Sequence, residues 1–402
     1  MLHIHFNNLT YIITIKFSKL SLIKLKKNMK IGITCYPTYG GSGVIATELG
    51  KALALRGYEV HFISYALPFR LTNFIENVVF HEVEMCSYPL FEFPLYSLAL
   101  ASKMVEVAEF EKLDLLHVHY AIPHATSAYL AKQMLKDKRE LKIITTLHGT
   151  DITLVGLEPS FLPLVKFSIE QSDGVTAVSR FLKEKTITNY NIDKDIRVIP
   201  NFIDTNLYKP VKDGNFRDHL APKGEKLLVH TSNFRVVKRV TDTIRIFDIV
   251  RKEIPSRLIL VGDGPDRSEC ERLCRELHLV DLVKFLGKQD GLVEILNAAD
   301  LFLIPSQSES FGLAALEAMA CGIPVVSSSV GGLPELIRHN ETGYIAEIGD
   351  IDRMAKYAID LLTNQKKYEL FSANSRKRAV EYFDKSVVIP MYEDYYKKIL
   401  DQ

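Results

Sequence analysis

Glu309 and Glu317 stand eight residues apart in Glu309-Ser-Phe-Gly-Leu-Ala-Ala-Leu-Glu317, an acidic pair around a small-residue turn and the start of a helix. Ser308, Ser310 and Gly312 supply helix-start chemistry just after the apolar run Leu301 to Ile304. Backbone N–H groups of Phe311, Gly312 and Leu313 are therefore expected to point out unpaired, toward an anion such as a diphosphate. Carboxylates repel phosphate, so both acids should face hydroxyls instead. On one helix, eight positions at about 1.5 Å each part them by roughly 12 Å, more than the width of one sugar. One acid is then free for a transferred hexose and the other for a ribose, which is what a sugar nucleotide asks for. A capped surface helix with two solvated glutamates has the same spacing, so the rest of the chain has to decide.

The elements that must position this pair alternate along the chain. Ile31 to Cys35 reads as a strand, Gly40 to Gly43 as a loop, Val44 to Arg56 as a helix, and Glu59 to Ser64 as the next strand. Further strands are expected at Leu115 to His119, Ile143 to Leu147 and Gly174 to Val178, and Ile196 to Asn201 closes the first half. The pattern restarts at Lys226 to Thr231, with a helix from Thr241 and strands at Arg257 to Val261, Val283 to Leu286, Leu301 to Ile304 and Val325 to Ser328. Strands alternating with helices make an α/β fold of two doubly wound parallel sheets. Ligands of such sheets bind beyond the carboxyl ends of the strands, here in a cleft shared by two lobes. The expected division is an extension over 1–28 that need not be native, an acceptor domain over 29–204, and a donor domain over 205–384. A terminal helix over 385–402 is expected to fold back on the first domain, and the hinge falls near Asn201 to Pro210.

Composition agrees with two domains: 402 residues, 47% of them apolar, are enough for two cores. Lys+Arg 50 against Asp+Glu 49 leaves +1, so no global basic field argues for nucleic acid or an anionic membrane. Five scattered cysteines, Cys35, Cys86, Cys270, Cys274 and Cys321, suit a reducing cytoplasm. Cys270 and Cys274 share a helix face, but no second ligand pair follows, which favours plain thiols over zinc. Met1 to Asn28 mixes lysines with apolar residues and fits neither a signal peptide nor a membrane span, so no stable membrane insertion is expected.

Other motifs fall at the expected cleft edge. Gly40-Gly-Ser-Gly43 either cradles phosphate, with Gly41 on the donor side, or only turns the chain with Ser42 as an N-cap. It lacks the Gly-x-Gly-x-x-Gly spacing and no acid closes the next strand, which disfavours a dinucleotide dehydrogenase. Gly262-Asp-Gly-Pro265 is a turn or a second close approach to ligand. His148-Gly-Thr-Asp151 ends a strand at the ligand edge, with Thr146 an added polar group. His117 and His119 share a strand face without a carboxylate to complete a metal set, and Tyr120 beside them is the better ligand contact. Asn233, Arg235, Lys238 and Arg239 follow a strand and aim cations at the cleft, where they can neutralise a diphosphate leaving group.

From Met29 onward the chain resembles the retaining family 4 glycosyltransferases of the two-domain GT-B fold. Glu309 to Glu317, Gly262-Asp-Gly-Pro265, Pro200-Asn-Phe-Ile-Asp204 and Gly331-Gly-Leu-Pro-Glu335 carry the likeness. Gly32 to Pro37, Leu67-Pro-Phe-Arg70, His117 to His124, Thr145 to Asp151 and Ser232-Asn-Phe-Arg235 narrow it within the family. The resemblance implies transfer of N-acetylglucosamine from UDP-N-acetylglucosamine to the hydroxyl of L-malate with retention at the sugar carbon, the opening step of bacillithiol biosynthesis. It assigns Glu309 to the donor sugar, Glu317 to the ribose, Lys238 and Arg235 to the diphosphate, and His148 to the donor near the reacting carbon. Ser42, Tyr120, Thr146 and Arg235 would hold the acceptor. Many relatives carry Arg where Asn233 stands, so the division of labour among Asn233, Arg235 and Lys238 stays open. No Asp-x-Asp metal site is recognisable, so neither cofactor nor metal is expected. Homo-oligomerisation is left open. A lipid or polyol acceptor, and a non-catalytic nucleotide-sugar sensor, are the competing readings.

Overall fold

The computed structural model describes residues 29–38, 40–85, 95–211 and 214–402. The extension over 1–28, Cys86 and most of Leu90 to Tyr96 lie outside the described residues. Two sheets organise the rest. The first runs β3-β2-β1-β4-β5-β6-β7 and the second β10-β9-β8-β11-β12-β13. In the first, β1 is Lys30–Thr34, β2 Glu59–Ser64, β3 Val78–Glu82, β4 Leu115–His119, β5 Lys142–Leu147, β6 Gly174–Ala177 and β7 Arg197–Val198. In the second, β8 is Lys226–Thr231, β9 Ser256–Val261, β10 Val283–Gly287, β11 Leu301–Ile304, β12 Val325–Ser328 and β13 Gly343–Ala346.

The strand pairings are parallel, and the central strands are buried along nearly their whole length, as parallel strands covered on both faces are. Ile31, Ile33, Leu115, Leu116, Leu258 and Leu260 are all fully buried. The order of each sheet reverses once, between β1 and β4 and between β8 and β11. A crevice opens where strands on either side of the reversal send their connections to opposite faces. The loops after β1, β4, β8 and β11 therefore border the cleft, and loops after neighbouring strands join them.

The chain crosses between lobes at Ile203 and returns at Asp384. The two crossings are bonded to each other: Ile203 N donates to Phe383 O at 2.9 Å and Lys385 N to Ile203 O at 2.9 Å. Asp384 also accepts from the Thr205 hydroxyl at 2.6 Å. The final helix, Lys385–Leu400, then packs Val388, Ile389, Tyr392 and Tyr396 into the core of the first lobe beside Ile33, Leu49 and Ile144.

Sequence and structure differ in three places. The edge strands β3 and β13 were not anticipated. The helix after β1 begins at Gly41 rather than Val44, with Gly40 at its N-cap, so Ser42 caps nothing. The helix expected to carry both glutamates begins only at Leu313, leaving Glu309 four residues upstream in a loop. Its N-cap is Gly312 at φ 94°, with no side-chain cap from either serine. A Cβ at Gly312 would also stand 2.5 Å from Leu333 Cδ2, so both backbone and packing require glycine.

Candidate active site

A cavity of about 990 Å³ lies between the lobes. On the donor side it is lined by Asn233, Arg235 and Lys238 after β8, by Asp263 to Pro265 after β9, and by Ser308 to Leu313 after β11. The first bond returning into the helix Leu313–Ala320 is Leu316 N to Gly312 O at 3.1 Å, so the N–H groups before it have no intrahelical acceptor. Lys238 Nζ sits 2.6 Å from Glu309 Oε1, which also accepts from Ser306 Oγ at 2.9 Å. Cation, carboxylate and helix amino end thus line the same cavity. Arg235 is exposed on the same wall, whereas Arg239 turns away to Asp242 at 2.6 Å. Lys288, just past β10, is a further lining cation that the sequence reading missed. The rule that found Lys238, a cation at a strand's carboxyl end, applies to it equally.

The opposite wall comes from the first lobe: Tyr36, Gly41, Ser42, Tyr120, His148, Thr150, Asp151 and Thr153. Ser42 Oγ and Tyr120 Oη are 2.7 Å apart, a hydroxyl pair facing the cavity. Burial pushes the Tyr120 phenol up to about 12, so it stays a neutral donor. The lobes touch where Gly149, at φ 118°, meets Ser310: a Cβ there would fall 1.6 Å from Ser310 Oγ.

Behind this wall runs a histidine chain. His117 Nδ1 lies 2.7 Å from Tyr396 Oη and His117 Nε2 2.7 Å from Thr146 Oγ1. His119 Nδ1 lies 2.8 Å from His148 Nε2. His119 Nε2 is buried with no hydrogen-bond partner among the described residues. Burying a bare lone pair costs less than burying an N–H without an acceptor, so the network assigns the His119 proton to Nδ1, donated to His148. His148 then carries its own proton on Nδ1. Burial, with His124 adding to it, lowers the His148 pKa to about 3, so the ring is a neutral donor at physiological pH. Asp151 holds the loop by accepting from Ala121 N at 2.9 Å and Gly149 N at 3.0 Å. The sequence reading quoted Asp151 without giving it a role.

Of the residues singled out from sequence, His148, Glu309, Lys238, Arg235, Gly41, Asn233, Phe311, Gly312, Leu313, Ser42 and Tyr120 line the one cavity. Three do not. Thr146 is fully buried, with its hydroxyl engaged by His117 and by Thr176 Oγ1 at 2.7 Å, so it supports the wall from behind and does not face an acceptor. Gly262 shapes the loop after β9: at φ 123° a Cβ there would lie 1.9 Å from Ser232 O. Glu317 is buried one turn into the helix from the lining residue Leu313, and its Oε1 accepts from Tyr208 Oη at 3.0 Å. Arg70 Nη2 donates to that same phenol at 3.1 Å. The Tyr208 bond engages Oε1 of Glu317 and leaves its second oxygen as an acceptor. His117 and His119 hold protein partners, and no metal cluster includes them among the described residues.

Two nucleotide-fold lobes with a phosphate-suited corner on one and a hydroxyl-lined wall on the other define a GT-B glycosyltransferase. The model for Glycosyltransferase Family 4 matches residues 39–207, and that for Glycosyl transferases group 1 matches residues 211–378. The chain is 49% identical over 373 residues to N-acetyl-alpha-D-glucosaminyl L-malate synthase of Bacillus anthracis, covering 92% of this chain and 97% of that one. It belongs to the family 4 glycosyltransferases. Among solved structures, Anabaena Alr3699/HepE in complex with UDP and glucose superposes with a TM-score of 0.78 at 21% identity, over 92% of this chain and all (100%) of that one. Sucrose-phosphate synthase from Thermosynechococcus elongatus superposes at 0.76 and 23% identity, over 93% and 100%. Both share the fold.

Proposed function

We propose that the protein transfers N-acetylglucosamine from UDP-N-acetylglucosamine to the hydroxyl of L-malate with retention of configuration. The observation that carries this reading is the near full-length identity with a named L-malate synthase, and the cleft has the parts the reaction needs. The diphosphate belongs against Lys238, Arg235 and the N–H groups before Leu316, and the sugar between Glu309 and His148. Malate belongs near Ser42 and Tyr120, where donors rather than apolar walls face the cavity.

In the transfer, the bond from the anomeric carbon to the phosphate oxygen breaks with its electron pair going to UDP. The malate oxygen forms the new bond on the same face, and its proton passes to the departing phosphate. Lys238 takes up the charge that builds on that phosphate, and the helix amino end adds its dipole. His148, neutral and protonated on Nδ1, donates to a sugar oxygen and does not act as a base. The fixed charges of the cleft make a divalent ion unnecessary for this step.

Release of UDP by purified protein from UDP-N-acetylglucosamine, measured with L-malate and with a panel of other hydroxy acids, tests the reading. Malate-dependent release, an α-linked product by NMR and activity that survives EDTA are expected. Equal release with every acid would refute malate specificity, and loss with EDTA reversed by a divalent ion would refute metal independence.

A further inference from the structure

Away from the cleft, at the outer edge of the first sheet, three ligating side chains converge from three elements. His61 on β2 is fully buried, His81 on β3 is partly buried, and Glu111, also partly buried, is the last residue of the helix Tyr96–Glu111. One ligand atom from each lies within 4.8 Å of the other two. The His61 and His81 rings stack with centroids 5.2 Å apart, and His61 Nδ1 is 2.9 Å from His81 Nε2. None of the three lines the cleft cavity.

Two features distinguish this cluster from a plain hydrogen-bonded pair. The far nitrogen of His61, Nε2, lies 3.2 Å from Glu59 Oε1, and Lys30 Nζ fixes that carboxylate at 2.7 Å. A carboxylate on the outer nitrogen keeps the proton on Nε2 and aims the Nδ1 lone pair inward, which is how metal-ligating imidazoles are oriented and made more basic. The spacing is also close to what an ion needs. Two nitrogens held at about 2.0 to 2.1 Å from a tetrahedral zinc lie roughly 3.3 Å apart, a few tenths of an ångström more than here. His81, on an edge strand and partly open to solvent, can give that much, and an ion can enter from its side.

We propose that His61, His81 and Glu111 form a site for a divalent transition ion of the zinc class, with water as the fourth ligand and Glu59 as outer support. On binding, the proton between the two imidazoles moves through solvent from His81 Nε2 to His81 Nδ1, so that both rings stay neutral and the two facing nitrogens, His61 Nδ1 and His81 Nε2, coordinate the ion. The ion ties β2, β3 and the end of the helix Tyr96–Glu111 together and takes no part in sugar transfer.

Titration of the full chain, free of any affinity tag, with Co²⁺ followed by displacement with Zn²⁺ tests this. One equivalent of Co²⁺ with the intense visible absorption of four-coordinate cobalt is expected. His81→Ala and Glu111→Gln should each weaken binding by at least about tenfold, and Glu59→Gln by about tenfold. Both ligand changes are at partly exposed positions, and retained UDP release by the variants reports that they fold. Zn²⁺ should raise the Tm of the native chain and leave that of His81→Ala unmoved. No stoichiometric uptake by the native chain, or uptake that His81→Ala and Glu111→Gln leave unchanged, would overturn the proposal.

Discussion

At the scale of single residues, the pair Lys238 and Glu309 concentrates the chemistry. The lysine is held 2.6 Å from the glutamate, so its position in the donor-side wall is fixed by an ion pair. Lys238→Ala is expected to lower kcat by about 10²- to 10³-fold, the usual loss for one preorganised charge partner, and steady-state kinetics against UDP-N-acetylglucosamine would measure it. A change in KM alone would mean that the lysine binds the ground state and the transition state equally. The histidines make a different prediction. His148 and His117 are held down to about 3, and His124 and His230 to about 4, mainly by burial, against an ordinary value of 6.5. A depressed imidazole pKa means that the unfolded chain binds more protons, so this stability is complete above about 6.5 and drains away as pH falls toward 4 and then 3. Tm should therefore drop steadily over that window. The kcat/KM profile should show no limb near 6.5 assignable to His148, and a limb there that His148→Asn abolishes would contradict the neutral-donor role.

At the scale of elements, Gly331 to Glu335 acquires a purpose that its sequence did not disclose. Gly332 N donates to Glu309 O at 3.0 Å, and a Cβ on Gly331 would lie 1.7 Å from that same oxygen, so this turn sets the Glu309 loop. Glu335 then reaches into the first lobe. Its carboxylate accepts from Arg180 N at 3.0 Å and Phe181 N at 2.8 Å, capping the helix Arg180–Tyr190 from across the cleft. Ser179 completes the cap by accepting from Leu182 N at 3.1 Å and donating to Ser310 O at 2.6 Å. Glu335→Ala should cost about 1 kcal/mol, as lost N-caps do, and loosen the lobes. Urea unfolding and a larger radius of gyration by small-angle scattering of the nucleotide-free protein would register both effects. An unchanged radius would show that the crossings at Ile203 and Asp384 suffice to hold the lobes.

At the scale of the whole molecule, the last helix ties the C-terminal stretch to β4 in the first lobe through Tyr396, fully buried and 2.7 Å from His117 Nδ1. Tyr396→Ala should cost about 3–5 kcal/mol through the cavity it leaves. Tyr396→Phe should cost about 1–3 kcal/mol, because His117 loses its partner, and urea titration would separate the two. How much of this architecture could be read in advance follows from how local its signals are. Apolar runs such as Leu301 to Ile304, buried on both faces, announce themselves, as does a terminal helix with an apolar stripe. By themselves, the residues determined two parallel α/β lobes, the order of their strands along the chain and a set of polar side chains at strand ends. The edge strand β3, Val-Val-Phe-His-Glu, stayed hidden because it is half solvated and lacks the continuous apolar run of a strand such as Leu301 to Ile304, and β13, although mostly buried, is only four residues long and opens on a glycine. The tertiary structure alone decided which polar groups open into the cleft. Thr146 and Glu317 carry the right chemistry in the right segments, yet partners brought in by the fold, His117 and Tyr208, engage the Thr146 hydroxyl and one oxygen of Glu317. A buried polar atom must be satisfied wherever folding brings a partner to it, and no local spacing specifies that partner.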